Sequence, residues 1–344
     1  MEKAKVLLTG AAGFMGSHLT GALVERGYQV YALDDLSGGF RENIDPRACF
    51  IQGSVTDQRL IKAVFAEHQF DYVFHLAAYA AEGLSHFIKK FNYENNLIGS
   101  VNLINASVNH AVKCFIFTSS IAVYGSNQAP MNEEMVPIPE DPYGIAKLAV
   151  EQELRVSHEM FGLDYIIFRP HNVYGERQNI GDPYRNVVGI FINQIMQGLP
   201  MTIFGDGEQS RAFTYIQDIA PIMADAPLNP CARNQVFNIG ADIPHTVNDL
   251  AKKVACAMGV PLRVKYLAAR QEVTHAFSDH SKLQKVFGYS AQVPLEEGIS
   301  RMTRWARSVG ARRSQLFGDI EIMKNMPPSW RAELSLASQE RSRS

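Results

Sequence analysis

Near its start the chain runs an apolar segment, Lys5-Val6-Leu7-Leu8-Thr9, straight into Gly10-Ala11-Ala12-Gly13-Phe14-Met15-Gly16, and then into an amphipathic stretch ending at Arg26. Few patterns restrict a fold more tightly. A strand must end at a glycine turn and a helix must begin at once. Glycines spaced in this way let the backbone approach a diphosphate seated on the helix N-terminus. A glycine triplet alone is equally a turn required by packing. The context argues for a ligand, because Asp34-Asp35 ends the second apolar run about 20 residues on, where a carboxylate grips an adenosine ribose. A carboxylate at Asp34 repels a 2′-phosphate, which favours NAD over NADP, whereas Asp35 reads equally well as a turn residue.

The alternation continues. Val30 to Leu33, Tyr72 to Leu76, Cys114 to Thr118 and Tyr165 to Phe168 read as buried strands. The segments Gly16 to Arg26, Gln58 to Glu67, Asn95 to His110 and Gly144 to Phe161 read as helices. Apolar strands alternating with helices predict a parallel sheet covered on both faces, the doubly wound α/β arrangement, with ligands beyond the carboxyl ends of the strands. After about Pro170 the loops lengthen, and helices are expected at Val187 to Gln197, Val247 to Met258 and Ser281 to Phe287. The expected organisation is a dinucleotide domain over 1–170 and a smaller α/β substrate lobe over 171–310, partly interleaved with the sheet. A polar, weakly periodic tail follows over 311–344, its end, Gln339 to Ser344, expected to be disordered.

Bulk composition excludes several classes. With 33 basic and 35 acidic residues the net charge is -2, so nothing draws the chain to nucleic acid or to an anionic membrane. No apolar run approaches the ~20 residues of a membrane span, and the N-terminus lacks a signal-peptide layout. Cys49, Cys114, Cys231 and Cys256 form no CxxC pair, so neither a metal site nor a disulfide framework is expected, and a cytoplasmic setting fits best.

Tyr143-Gly144-Ile145-Ala146-Lys147 places a tyrosine and a lysine at i and i+4, on one helix face. Beside an ammonium and an oxidised nicotinamide, the phenol is expected to have its pKa lowered towards neutrality, so that it can take a proton from a sugar hydroxyl. The bland alternative is a surface helix pair. Thr118-Ser119-Ser120, ending the preceding strand, favours chemistry by putting a hydroxyl at the same sheet edge.

With these motifs in hand, the chain resembles the extended short-chain dehydrogenase/reductase family, and within it the UDP-glucose 4-epimerase-like nucleotide-sugar enzymes. TGAAGFMGSHL at the start, HLAA at His75 to Ala78, SSIAVYG at Ser119 to Gly125, YGIAK at Tyr143 to Lys147 and RPHNVYG at Arg169 to Gly175 carry the likeness. It runs from about Lys5 to about Arg307. The resemblance implies a Rossmann fold, an NAD cofactor and a nucleotide-sugar substrate, UDP-hexose first among them. It makes Tyr143 the general base, Lys147 the ligand of the nicotinamide ribose and Ser120 a partner in the proton network. The cofactor would lie along Gly10, Gly13, Phe14, Met15, Gly16, Asp34, Asp35, Ser54, Val55, Leu76, Ala77, Ala78 and Asn96, reaching Tyr143 and Lys147. The substrate would meet Ser120, Tyr143 and Asn172, with Arg211 and Arg270 on its diphosphate. By the same resemblance Ala276 lines the space beside sugar C2. A homodimer through the helices at Asn95 to His110 and Gly144 to Phe161 is implied as well.

Departures from the family pattern narrow the reaction. Ser54 stands where an aspartate usually contacts adenine, a role that Asp57 is then expected to share. Ala80 replaces a lysine found in some 4-epimerases. Ile121-Ala122 occupies the place of the Asp-Glu pair with which 4,6-dehydratases expel water. What remains suffices for hydride removal, keto-sugar rotation and hydride return, which is 4-epimerisation. A dehydratase with relocated acids, a 4-keto reductase and an NAD-binding regulatory relative stay open as alternatives. His75 is expected to be a packed structural residue, and His171 either that or a sugar contact.

Overall fold

The structure, a computed structural model, describes residues 3–126, 129–269, 273–289, 291–313 and 316–331. The chain begins β1 (Lys5–Thr9), α1 (Phe14–Glu25), β2 (Gln29–Asp34), β3 (Cys49–Gln52), α2 (Gln58–Glu67) and β4 (Tyr72–His75). Two short helices, α3 (Glu82–Ser85) and α4 (Lys89–Tyr93), lead through a π-helical turn into α5 (Gly99–Asn109). Then come β5 (Cys114–Thr118), α6 (Pro142–Phe161), β6 (Tyr165–Pro170), β7 (Val173–Tyr174) and α7 (Val187–Met196). Next are β8 (Met201–Phe204), β9 (Ser210–Ala212), β10 (Thr214–Tyr215), α8 (Ile216–Asp225) and β11 (Gln235–Ile239). The described elements close with β12 (Pro244–Thr246), α9 (Val247–Ala257), β13 (Val264–Leu267), β14 (His275–Ala276), α10 (Ser281–Phe287) and α11 (Leu295–Val309).

Seven parallel strands form the main sheet in the order β11-β6-β5-β4-β1-β2-β3. The strand pleat sends alternate side chains to opposite faces. Val6 and Leu8 thus join the apolar layer that contains Leu19 and Leu23 of α1 and Ile216 and Ile219 of α8. Leu7 joins the other layer, with Phe65 of α2, Leu103 of α5 and Leu154 of α6. Burial on both faces is why the strands read as unbroken apolar runs. Strand order reverses between β1 and β4, which opens a crevice at their carboxyl ends.

The seventh strand, β11, lies far beyond residue 170, so the second half of the chain completes the sheet. Beyond the sheet, β13 pairs with β8, while β9 is flanked by β12 and β14. β3, α8 and α11 are among the elements not anticipated from the sequence. β3 is only partly buried and so lacks a continuous apolar signal. α8 carries Pro221 inside it. α11 presents a regular apolar stripe, Leu295, Ile299, Met302 and Ala306, and its periodicity was there to be read.

The tail differs from expectation over 316–331. Phe317, Ile320, Met326 and Trp330 pack with Leu84, Phe87, Ile88, Phe91 and Tyr184 in a separate apolar cluster. The Glu321 carboxylate accepts from the backbone N–H groups of Lys90 at 2.8 Å and Phe91 at 2.9 Å, capping α4. Sparse aromatics in a polar segment show no period, so only the packing reveals them. The expectation for Gln339 to Ser344 lies outside the described residues.

Candidate active site

At the crevice β1 ends and α1 begins within a turn. Gly10 has φ +72°, and a Cβ there would stand 2.7 Å from the backbone nitrogen of Ala77. A Cβ on Gly16 would lie 2.0 Å from the Gly10 carbonyl oxygen. The loop is therefore glycine because its backbone touches β4's exit and itself. No side chain caps α1, so its first-turn amides face the cleft with their positive end unneutralised.

The cleft encloses about 1000 Å³ including its open mouth. Gly10, Gly13, Phe14, Met15, Gly16, Asp34 and Asp35 line one side. Ser54, Val55, Leu76, Ala77 and Ala78 line the other. Asp34 is buried, accepting from the N–H of Ala12 at 2.9 Å and of Leu36 at 2.8 Å. Burial raises its pKa, against the pull of those amides. Asp35 is exposed and closes a turn to the N–H of Ser37. Ser54 lines the cleft, bonded to Thr56 Oγ1 at 2.9 Å. Asp57 is turned to another use, its Oδ1 capping α2 through the N–H groups of Arg59 and Leu60.

Asn96 departs from the expected position on the pocket wall. It is buried behind the wall, accepting from Tyr79 N–H at 2.8 Å and donating to Tyr79 C=O at 3.2 Å. The neighbouring Asn95 lines the cleft instead. Both residues lie in the π-helical turn over Glu94–Ile98. His75 bears out the structural expectation. Its ring bridges Thr9 Oγ1 and Ser100 Oγ, each at 2.8 Å, and burial pushes its pKa down to about 3.

Thr118 links the cleft to Ser120, Tyr143 and Lys147. Its hydroxyl is buried without a hydrogen-bond partner although Thr118 lines the cleft. Its carbonyl accepts from Lys147 Nζ at 2.8 Å. Tyr143 and Lys147 share one face of α6, the ammonium lying 5.7 Å from the phenol ring centre. Asp141 and Pro142 set the start of that helix, with Asp141 accepting from Gly144 N–H at 2.9 Å. Ser120 hydrogen-bonds the Tyr143 side chain. The uncapped helix end, the glycine cradle and the unsatisfied Thr118 hydroxyl all fit a dinucleotide.

The expected lowering of the tyrosine pKa is absent in the protein alone. Burial pushes Tyr143 upward, Glu82 adds to the rise, and the bond from Ser120 only partly offsets them. Burial also brings Lys147 down to about 7, opposed by Glu151. The Lys147 ammonium is turned towards the Thr118 carbonyl.

Behind the trio lies a network the sequence did not disclose. Arg169 bonds Glu151 through Nε at 2.9 Å and Nη2 at 2.5 Å, and donates to Tyr124 Oη at 2.7 Å. Ser119 donates to the same carboxylate at 2.5 Å. His171 is also buried, with Nδ1 on the Ala212 carbonyl at 2.9 Å and Nε2 3.0 Å from His280 Nε2. These contacts favour the packed-residue alternative.

Of the expected substrate residues, Asn172 is half-buried with φ +42°. Arg211 donates to the carbonyls of Ser210, Thr274 and Val273. Ala276 is buried and pairs in register with Arg211. Arg270 lies outside the described residues.

A doubly wound sheet with a glycine cradle at its switch point and a Ser-Tyr-Lys trio at the next strand end defines a dinucleotide-dependent oxidoreductive site. Its relatives make the class specific. The model of the "NAD dependent epimerase/dehydratase family" matches residues 6–240, and the chain belongs to that NAD-dependent family. It is 32% identical to the UDP-glucose 4-epimerase of Mycolicibacterium smegmatis over 314 residues, covering 88% of this chain and 99% of that one. The Thermotoga maritima UDP-glucose 4-epimerase, solved with UDP-glucose, superimposes with a TM-score of 0.82 at 36% identity, covering 89% and 99% of the two chains. The Thermus thermophilus enzyme in complex with NAD gives 0.83 at 31%, covering 88% and 99%. dTDP-glucose 4,6-dehydratases are also among the relatives.

Proposed function

We propose that this chain is a UDP-hexose 4-epimerase of the glucose/galactose type. The observation that carries the reading is an intact Ser120-Tyr143-Lys147 trio followed directly by the buried apolar pair Ile121 and Ala122. Nothing at that place can protonate or deprotonate a sugar hydroxyl. Bound NAD supplies a hydride acceptor that becomes a donor within the same turnover. Tyr143 moves the proton of the sugar 4-hydroxyl, Ser120 shares that hydrogen bond, and Lys147 orients the nicotinamide ribose. Residues 171–310 serve in this reading as the substrate lobe, partly interleaved with the sheet through β11, with Asn172 and Arg211 on the diphosphate, and 311–344 as a C-terminal tail. Incubating the purified protein with UDP-glucose and no added cofactor should give UDP-galactose. A 4-keto-6-deoxy product, or turnover only with added NADPH, would refute the assignment.

Ala276 bears on substrate size. Alanine leaves room for an acetamido group beside sugar C2, so UDP-N-acetylhexosamines should be accepted alongside plain hexoses. Ala276→Tyr should cut kcat/KM for the acetylated substrate tens- to hundreds-fold relative to the plain one, since a small group in a pocket is worth about 1–3 kcal/mol. An unchanged ratio means that this position does not face the sugar.

The protein also reads as a cytoplasmic homodimer. No described helix is long and apolar enough to cross a membrane. Leu103, Ile104, Ala146 and Leu154 are spent on the core, while Ile98 (51% exposed), Ile145 (43%) and Val156 (41%) face outward. Helices apolar on two sides take two partners, and a two-fold pairing of α5 and α6 covers the second side. Light scattering at micromolar concentration should return twice the 38.3 kDa chain mass; a monomer mass contradicts the pairing.

A further inference from the structure

Ala80, which stands where some 4-epimerases have a lysine, is exposed and carries no charge. A cation reaches the same cleft from another direction. Arg185, in the loop between β7 and α7, lies with its guanidinium 4.5 Å from the centre of the Tyr79 ring. Its Nε is 2.9 Å from Asp182 Oδ2. On the far side, Nη2 and Nη1 stand 3.3 and 3.6 Å from where a Cβ on Gly38 would be. Gly38 belongs to the loop that follows Asp34. Arg185 therefore spans the cleft from the β4 wall to the β2 loop.

Charge gives this span a purpose. Among the described residues that line the cleft, Arg185 is the only cation, set against Asp34 and Asp35. A dinucleotide brings two further negative charges in its diphosphate, and the glycine loop offers them neutral amides alone. Both supports of the span are fastened. Asn96 holds the Tyr79 backbone, while Phe91 and Phe317 pack on the Tyr79 ring, each at 5.4 Å between centroids. Tyr184, next to Arg185, meets Trp330 edge-on at 5.1 Å. The segment carrying Phe317 and Trp330 thus packs on the Tyr79 ring and on the residue next to Arg185.

We propose that Arg185 is a cofactor-retaining residue, its guanidinium binding the diphosphate of NAD and closing the cleft over it. A planar fork suits phosphate oxygens, and an enzyme that returns its hydride within each turnover gains from a cofactor that stays. The proposal rests on NAD as the cofactor and is independent of which sugar is used. Calorimetry on the NAD-stripped protein separates its parts, with ADP-ribose and adenosine as probes. Arg185→Gln should weaken ADP-ribose roughly ten- to hundredfold and leave adenosine within about twofold. It should also shed NAD on desalting, where the unmodified protein keeps it. Arg185→Lys, which preserves the charge, should recover part of the ADP-ribose affinity and supplies a second folded variant. Unchanged ADP-ribose binding in both variants overturns the proposal, as does an equal loss for adenosine, which would mark Arg185 as loop packing only.

Discussion

Tyr143→Phe should lower kcat by roughly 10²–10⁴-fold while the protein still purifies with NAD bound. The substitution removes one oxygen from a buried ring on α6. That oxygen hydrogen-bonds Ser120 and is the group placed to take the sugar proton. The ring itself remains, and so do the Lys147 contacts to Thr118 and to the Phe117 ring. The cofactor walls are untouched, so binding of NAD and of UDP-sugar should change little and the loss should fall on kcat rather than on KM. Burial holds the tyrosine high in the protein alone, so the pH profile of kcat in the unmodified enzyme should report a pKa lowered only in the NAD complex. Near-normal turnover in Tyr143→Phe removes Tyr143 from the role of base.

Arg169→Met should destabilise the fold by about 3–5 kcal/mol, the usual cost of removing one member of a buried ion pair. Arg169 and Glu151 have side chains only 5% and 4% exposed, so solvent cannot take over the orphaned carboxylate. Tyr124 loses a donor as well and keeps its bond to Asn238 Oδ1 at 2.8 Å. The double variant Arg169→Met with Glu151→Leu should recover a large part of the loss, because two apolar side chains bury more cheaply than one unpaired charge. Urea unfolding of the three proteins measures this. A single variant within about 1 kcal/mol of the unmodified protein would be the wrong size for a buried pair. Ser119 touches the same carboxylate and precedes Ser120, so the network also fixes the strand end that carries the catalytic hydroxyl. Activity should therefore fall in Arg169→Met even where the protein remains folded.

What could be read from the sequence is local in origin. The glycine turn between β1 and α1, the Asp34 that follows β2 and the Tyr143–Lys147 spacing on α6 are all defined within a few residues of chain. Strand and helix periods are of the same kind, and five of the main-sheet strands announced themselves by unbroken apolar runs. Family likeness then attached roles to residues that no period marks, such as Asn172 and Arg211.

Other features exist only once distant segments meet. Asn96 was expected on the cofactor wall, but it lies behind that wall and holds the Tyr79 backbone. Glu321 caps α4 across 231 residues of sequence. Arg185 reaches Gly38 and Tyr79 from a loop whose composition reads as surface. Chain order alone set the layered sheet, the glycine cradle and the Tyr143–Lys147 pairing on α6, because each depends on short-range backbone geometry and on hydrophobic pattern. Only the tertiary structure decided which cation crosses the cleft, which carboxylate lies paired beneath the trio and that part of the tail packs on the site. Those outcomes depend on long-range side-chain contacts, whose energy is realised only when the chain is folded and water is excluded.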